Sequence, residues 1–428
     1  MWRPLVLLMV LPDHPSPFGR TALPVVAVLC LGYVLSQFYR SSVGVIGPAL
    51  TADMGLSAEA VGALGGMFFL VFGLAQIPIG VALDRFGPRA VNATLLLVAA
   101  AGALMFAAAG TGTGLTIARG VIGLGCASAF MGSLVVFSRW FAPERFPGMA
   151  SVVLAVGGLG GLVATTPLAL AADLLGWRGA FVLMAAATVA VAALVYWLVR
   201  DAPPGASFHV GERETLGDAV RGLAEVLGNR QLYLLLPLNA VAYASVITVL
   251  GLWGVPYLHD VQGMTVVEAA EVMMAMAVTL MLGALAFGWL SPHLGGTKKC
   301  AVVGALGVAV SYVTLALLPP SGAGVLYTLF AFAGFTGAYS VMLVTHVRAL
   351  FPRRLVGRGL TTANLFNFGG AGVMQGLSGL IVGAFSGQGA RHSAAAGYSA
   401  LFWSLAAVIV LATVIYLVSR DPATATAH

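Results

Sequence analysis

The sequence predicts an all-α membrane protein, with twelve transmembrane helices arranged as two pseudo-symmetric six-helix bundles. Three observations carry that prediction. First, 60% of the 428 residues are apolar and only 8% are charged, against roughly 25% charged in average soluble domains. A mean hydropathy of +0.98 leaves too few charges to coat a water-facing surface. A soluble enzyme, a disordered chain and a disulfide scaffold are excluded. Second, the apolar residues fall in twelve long, continuous runs. A helix needs ~20 apolar residues to cross a bilayer, whereas a β-barrel would show short alternating segments. Third, one polar stretch divides six runs from six, and the two sides share an internal repeat.

In chain order the runs, numbered here as spans 1 to 12, are 22–50, 57–83, 90–110, 113–138, 147–173, 178–199, 232–258, 265–290, 300–319, 322–347, 357–385 and 396–418. Residues 1–21 precede them. MWRPLVLLMVL resembles the apolar part of a signal peptide, but PDHPSP follows without a small-x-small cleavage site. An irregular tail at the membrane surface is expected. Residues 22–199 form the first bundle, 200–231 the linker with RDAPPG and GERETLGD, 232–419 the second bundle, and 420–428 a tail. Of the Lys and Arg residues, Arg40 and Arg119 lie within spans. Arg178 and Arg391 lie on one face, and all the others lie on the opposite face, with both termini. The positive-inside rule makes that basic face cytoplasmic. An inner-membrane, multi-pass protein is therefore expected. The net charge of +6 reads as topology and not as nucleic-acid binding. Cys30, Cys126 and Cys300 have neither metal nor redox spacing, and no cofactor or metal is expected.

The repeat pairs FSRWFAPERFPGMASVVLAVGGLGG (137–161) with HVRALFPRRLVGRGLTTANLFNFGG (346–370) without a gap. It matches Arg139 to Arg348, Pro143 to Pro352, Arg145 to Arg354, Gly148 to Gly357, and Gly160-Gly161 to Gly369-Gly370. Spans 5 and 11 are thus equivalent positions in two parallel halves, a plan that places a binding site between them.

Along span 1, Tyr33, Ser36, Gln37, Arg40, Gly44 and Gly47 recur at steps of three and four, which puts them on one helix face. A guanidinium inside a span must face protein or a watery cavity, and its planar fork suits a carboxylate. Between spans 2 and 3 stands Gly80-Val-Ala-Leu-Asp84-Arg85-Phe-Gly87-Pro-Arg89; the matching loop between spans 8 and 9 lacks the acid. Gly80 is expected to let two helices approach. Asp84 can accept hydrogen bonds from a helix N-terminus or pair with a basic loop residue. Span 4 carries Arg119, Gly123 and Gly125, and span 5 carries Gly148, Gly157 and Gly161, small residues suited to packing against span 8. Polar side chains recur in span 7 (Asn239, Tyr243, Trp253, Tyr257), span 10 (Thr336, Tyr339, Ser340) and span 11 (Asn364, Asn367, Gln375). Met273, Met274, Met276 and Met281 crowd span 8, either as soft ligands for Cu(I) or as apolar filler. No carboxylate falls at mid-membrane depth.

The loop at 80–89 resembles the signature G-x-x-x-D-R-x-G-x-R of the major facilitator superfamily, and Arg119-x-x-x-Gly123-x-Gly125 is similar to that superfamily's span-4 pattern. Span 5 approaches the drug-antiporter glycine motif but has Gly161-Leu162 and Thr165-Thr166 where Gly-Pro and Gly-Gly would stand. Span 1, with Gly32-Tyr33, Arg40 and Gly47-Pro48, resembles that of the organophosphate:phosphate antiporters. The resemblance implies that Arg40 binds the anionic group of a substrate. Those antiporters add an arginine in span 7, where this chain has Ala244–Ile247, and a histidine in span 5, where it has Gly157; a monoanion such as a carboxylate suits one arginine better. Spans 1, 4, 7 and 10 line the central cavity in the superfamily, with 11 close by. The implied substrate contacts are therefore Arg40, Tyr33, Gln37, Tyr243, Asn239, Trp253, Tyr339, Asn364 and Asn367. Gly80, Asp84, Arg85 and Arg89 would form a cytoplasmic latch, with Arg145 and Arg354 as neighbours, and Arg119 would serve coupling or packing. The expected protein is a monomeric secondary transporter, not an enzyme. It would move a small organic anion through the lipid bilayer by alternating access, with a proton or another coupling ion as a further partner. The alternatives are a metabolite or drug exporter of the same fold, a copper or other micronutrient importer, and a transporter-like sensor.

Overall fold

A computed structural model of the chain describes residues 17–142, 145–202, 217, 225–294, 296–351, 355–385 and 390–420. Every element among the described residues is helical. Among the described residues, eleven helices are long and apolar enough to cross a membrane, and Gly148–Val163 is a shorter apolar helix. One of the eleven, Thr166–Leu198, contains Gly176 at φ 70° and ψ 161°, a left-handed conformation that glycine adopts without penalty from a Cβ. The chain reverses there. Trp177 and Arg178 meet Asp53 at the end of span 1, whereas Val195 and Val199 pack with Met149 and Val153 near the start of span 5. Span 5 is therefore Phe146–Val163 continued by 166–175, and span 6 is 177–198. Twelve crossings result, with Pro17 and Leu417 on the same side, called the terminus face here; the opposite side is the far face.

The helix of span 1 is described from Pro17 to Met54, and its apolar, membrane-crossing part is Ala22–Met54. Residues 1–16 lie outside the described residues. Spans 4 and 10 each consist of two helices, Gly112–Cys126 with Ala129–Trp140 and Ala323–Gly337 with Ser340–Leu350. Span 7 runs through Arg230–Thr248, a π-helical turn at Val249–Trp253, and Gly254–Asp260.

The six crossings before the linker and the six after it meet most tightly toward the far face, where glycines let backbones touch. A Cβ at Gly62 of span 2 would lie 2.6 Å from the Gly379 Cα of span 11. One at Gly66 would lie 2.6 Å from the Gly372 carbonyl oxygen, and one at Gly44 of span 1 would lie 2.7 Å from the Gly251 carbonyl carbon. Toward the terminus face the pattern stops: Gly80, Gly148 and Gly288 have open space where a Cβ would go. The expectation that Gly80 brings two helices together is thus corrected. So is the expected packing of the span-5 glycines against span 8. Gly157 faces Tyr33 of span 1, Gly161 faces open space, and it is Gly158 that meets Met281 of span 8.

Within each half, polar side chains tie helices together. Tyr39 and Thr188 hydroxyls are 2.9 Å apart across spans 1 and 6, and Ser36 donates to the Cys126 carbonyl across spans 1 and 4. In the second half Tyr312 donates to the Ser245 carbonyl at 3.0 Å and Gln375 Nε2 to the Ile247 carbonyl at 3.3 Å. Such interhelical bonds hold bundles together where lipid offers no hydrophobic drive between helices.

Candidate functional site

Arg40 is 6% exposed and stands where the two halves meet. Its Nη1 donates to the hydroxyl of Tyr243 on span 7 at 3.2 Å. Its Cζ lies 4.8 Å from the ring centre of Phe72 on span 2 and 5.1 Å from that of Phe368 on span 11. Those rings are themselves 4.6 Å apart and tilted by 63°, so they form one pad beside the guanidinium and not a sandwich around it. Tyr243 extends the pad, edge-on to Phe368 at 5.8 Å and to Phe69 at 6.1 Å. The π-faces attract the cation, and both halves contribute a ring.

These contacts compensate the charge only in part. Arg40 Nε is buried without a hydrogen-bond partner, and no carboxylate among the described residues pairs with it. Gln37 Oε1, one helical turn away on the same face, is also buried without a partner. A buried cation is costly unless it is paired and hydrogen-bonded. The arrangement can therefore offer an in-plane guanidinium edge to an oxyanion. Tyr33, 7% exposed, packs its ring 5.1 Å from Phe130 and against the bare backbone of Gly157. Arg40 and Tyr243 both lie close enough to act electrostatically on the Tyr33 hydroxyl.

Arg40, Tyr33, Gln37 and Tyr243 thus come together as the sequence suggests. Two other expected contacts, Asn239 and Trp253, are committed elsewhere. Asn239 donates its amide to the Ala363 carbonyl at 2.8 Å, tying span 7 to span 11. Trp253 donates to Ser378 Oγ at 2.7 Å and lines a separate far-face cavity of about 530 Å³ with His259, Asp260 and Tyr398. Tyr339 is fully buried with its Cβ against Gly304 of span 9. Asn364 and Asn367 are half-buried on span 11 beside Phe368. The aromatic pad itself was missed, because Phe in an apolar span carries no polar signal. Met273 and Met281 fill notches at Gly254 and Gly158, as apolar packing does.

Arg119 is fully buried in a different manner. Its Nη1 donates to the Tyr39 carbonyl at 2.7 Å, its Nε to the Leu64 carbonyl at 3.3 Å, and its Cζ lies 4.7 Å from the Phe68 ring. It pins spans 1, 2 and 4 together.

At the terminus face the signature loop is fastened to the end of span 6. Gly87, at φ 80°, opens span 3. The Arg89 backbone N–H donates to Asp201 Oδ1 at 2.8 Å, its Nε donates to the Tyr196 carbonyl at 2.6 Å, and its Cζ sits 4.6 Å from the Tyr196 ring. Asp201 thus caps the positive N-terminal end of span 3. The signal in the sequence is an acid directly after span 6, in RDAPPG. Asp84, Arg85 and Arg145 are exposed. Arg354 lies outside the described residues, and with it the expected Arg145/Arg354 neighbourhood of Asp84.

Comparison with known proteins places this geometry. The sequence profile of the Major Facilitator Superfamily matches residues 29–340. The probable sulfoacetate transporter SauU of Cupriavidus necator is 25% identical over 184 residues, which are 43% of this chain and 43% of that one. This chain therefore spans less than half of that relative's length in the match. A probable hexose phosphate transport protein of Chlamydia trachomatis is 24% identical over 315 residues, 67% of this chain and 68% of that one. Among solved structures, a bacterial homologue of the human lysosomal transporter Spinster, inward-facing and occupied, superposes with a TM-score of 0.78. It has 20% identity over 95% of this chain and 97% of that one.

Proposed function

The chain belongs to the major facilitator superfamily, and on that premise we propose that it carries a small organic anion, bound at Arg40, across the membrane by alternating access. The observation that carries the reading is the Arg40 guanidinium, buried between the halves, held by one hydroxyl and two rings, with its Nε unpaired. An anion would complete its coordination and would touch both halves at once, so that binding and rocking are coupled. A single guanidinium, with no second basic side chain bonded into the same cluster among the described residues, favours one carboxylate-type group over a doubly charged phosphate. Tyr33 and Gln37 would add a hydroxyl and an amide N–H as further donors. The terminus face, which holds most of the arginines and lysines, is cytoplasmic. The membrane is then the inner membrane of a bacterium, and the protein works as a monomer with a coupling ion or an exchange partner.

Calorimetry on purified protein tests the site, with sulfoacetate, D-gluconate and glucose 6-phosphate as probes. Arg40→Ala should abolish anion binding. Arg40→Lys, which keeps the charge but loses the fork, should fold and bind about tenfold more weakly, ~1.4 kcal/mol. Unchanged affinity in Arg40→Ala, or binding confined to uncharged solutes, overturns the reading.

A further inference from the structure

A glycine on span 5 stands against the candidate anion site without touching the anion's expected place. A Cβ built at Gly157 would lie 2.0 Å from Tyr33 Cδ1 and 2.4 Å from Cε1, and all three of its nearest atoms belong to that one ring. No L side chain fits there while Tyr33 keeps its position. One turn on, a Cβ at Gly160 would lie 2.0 Å from the Val34 carbonyl oxygen and 2.9 Å from Gln37 Cβ. Span 5 thus lays a bare strip of backbone along the span-1 face that carries Tyr33, Gln37 and Arg40. On its other side the Tyr33 ring is held by Phe130 of span 4. The ring is therefore clamped, while its hydroxyl makes no hydrogen bond among the described residues and lies within electrostatic reach of Arg40 and Tyr243. A phenol held rigidly with its donor unspent is prepared to meet an acceptor.

We propose that Gly157 is a positioning residue of the anion site: its missing side chain is the socket for the Tyr33 ring, and the socket fixes where the Tyr33 hydroxyl stands relative to the Arg40 guanidinium. The proposal rests on the anion reading above. It also sets a size limit, since any side chain at 157 would push the ring into the space the anion needs. Gly157 acts through Tyr33 and not by contact.

The test combines a double-mutant cycle with a probe of the ring itself. The protein is labelled with 3-fluorotyrosine, and the Tyr33 resonance is assigned by its loss in Tyr33→Phe. In Gly157→Ala that resonance should shift, and calorimetry with sulfoacetate, D-gluconate and glucose 6-phosphate should show at least a tenfold rise in Kd for whichever anion the parent binds. In the Tyr33→Ala background, where the alanine meets no ring, adding Gly157→Ala should change Kd by less than twofold. A helix-packing role would lower the melting temperature and leave the parent Kd intact. That result, or an unmoved resonance, overturns the proposal. If Gly157→Ala does not fold, the Tyr33→Ala pair still decides: a tenfold or greater further loss on adding Gly157→Ala shows an action that bypasses Tyr33 and overturns it, and equal affinities uphold it. Binding of none of the three anions by the parent removes the anion reading and this proposal together; binding that resists Gly157→Ala removes only the role of Gly157.

Discussion

Arg40 and Arg119 carry the same charge at similar burial, yet their surroundings assign them different work. Arg119 spends its donors on the Tyr39 and Leu64 carbonyls, whereas Arg40 keeps Nε unspent. Hydrogen bonds to a charged group contribute about 1.5–3 kcal/mol each. Arg119→Ala should therefore lower the melting temperature by several degrees while the Kd for an anion stays within about threefold, read by thermal unfolding and calorimetry on the same preparation. Loss of affinity at an unchanged melting temperature would make Arg119 part of the binding path. The sequence alone could say that both arginines need shelter inside the membrane, because charge in an apolar run is visible as such. It could not separate them, because backbone carbonyl acceptors have no signature of their own. The same blindness hid the fate of Asn239, whose partner is the Ala363 carbonyl, and hid the pad, whose members Phe72 and Phe368 look like ordinary apolar filler.

At the scale of helices, long apolar runs and the polar linker made the number and order of spans legible. The reversal between spans 5 and 6 is legible too, in the break between residues 173 and 178 where Gly176 stands. Two features were not. The π-turn at Val249–Trp253 adds one residue to a helical turn without altering composition. The glycine contacts depend on which helices become neighbours, and many glycines in spans touch nothing. Gly62 and Gly379 do touch, and they hold spans 2 and 11 together on the far face. Gly62→Ala would require a shift of backbone, not merely of a side chain. It should loosen the far-face contact and raise the thiol reactivity of a cysteine placed at Val61 toward a reagent added on that face. Native Cys30, Cys126 and Cys300 are all buried and should contribute little background. An unaltered labelling rate would mean that this contact does not hold the far face shut.

For the whole molecule, the placement of polar bonds against apolar contacts sets what can move. Arg119, Tyr39–Thr188 and Ser36 join helices of the first half, and Asn239, Gln375, Tyr312 and Trp253 join helices of the second. Between the halves lie glycine backbones, the Phe72–Phe368 pad and the bond from Arg40 to Tyr243. Separating polar partners inside a bilayer leaves orphaned groups with no water to replace the bond, whereas sliding or parting apolar surfaces does not. Motion should therefore run between the halves and leave each one intact, as rigid-body alternating access requires. Two cross-links distinguish this from motion within a half. A cysteine pair at Gly47 and Pro256, where a Cβ on the first lies 3.6 Å from the Pro256 ring, spans the halves near the far face. A short bis-methanethiosulfonate cross-linker there, which forms a disulfide to each cysteine with loss of methanesulfinate, should abolish transport in proteoliposomes, and cleavage by a reductant should restore it. A pair at Asn239 and Ala363, already joined by a hydrogen bond within the second half, should tolerate the same reagent with transport reduced by less than about half. If the within-half link also arrests transport, spans 7 and 11 slide past each other during the cycle, and the second half does not move as one body.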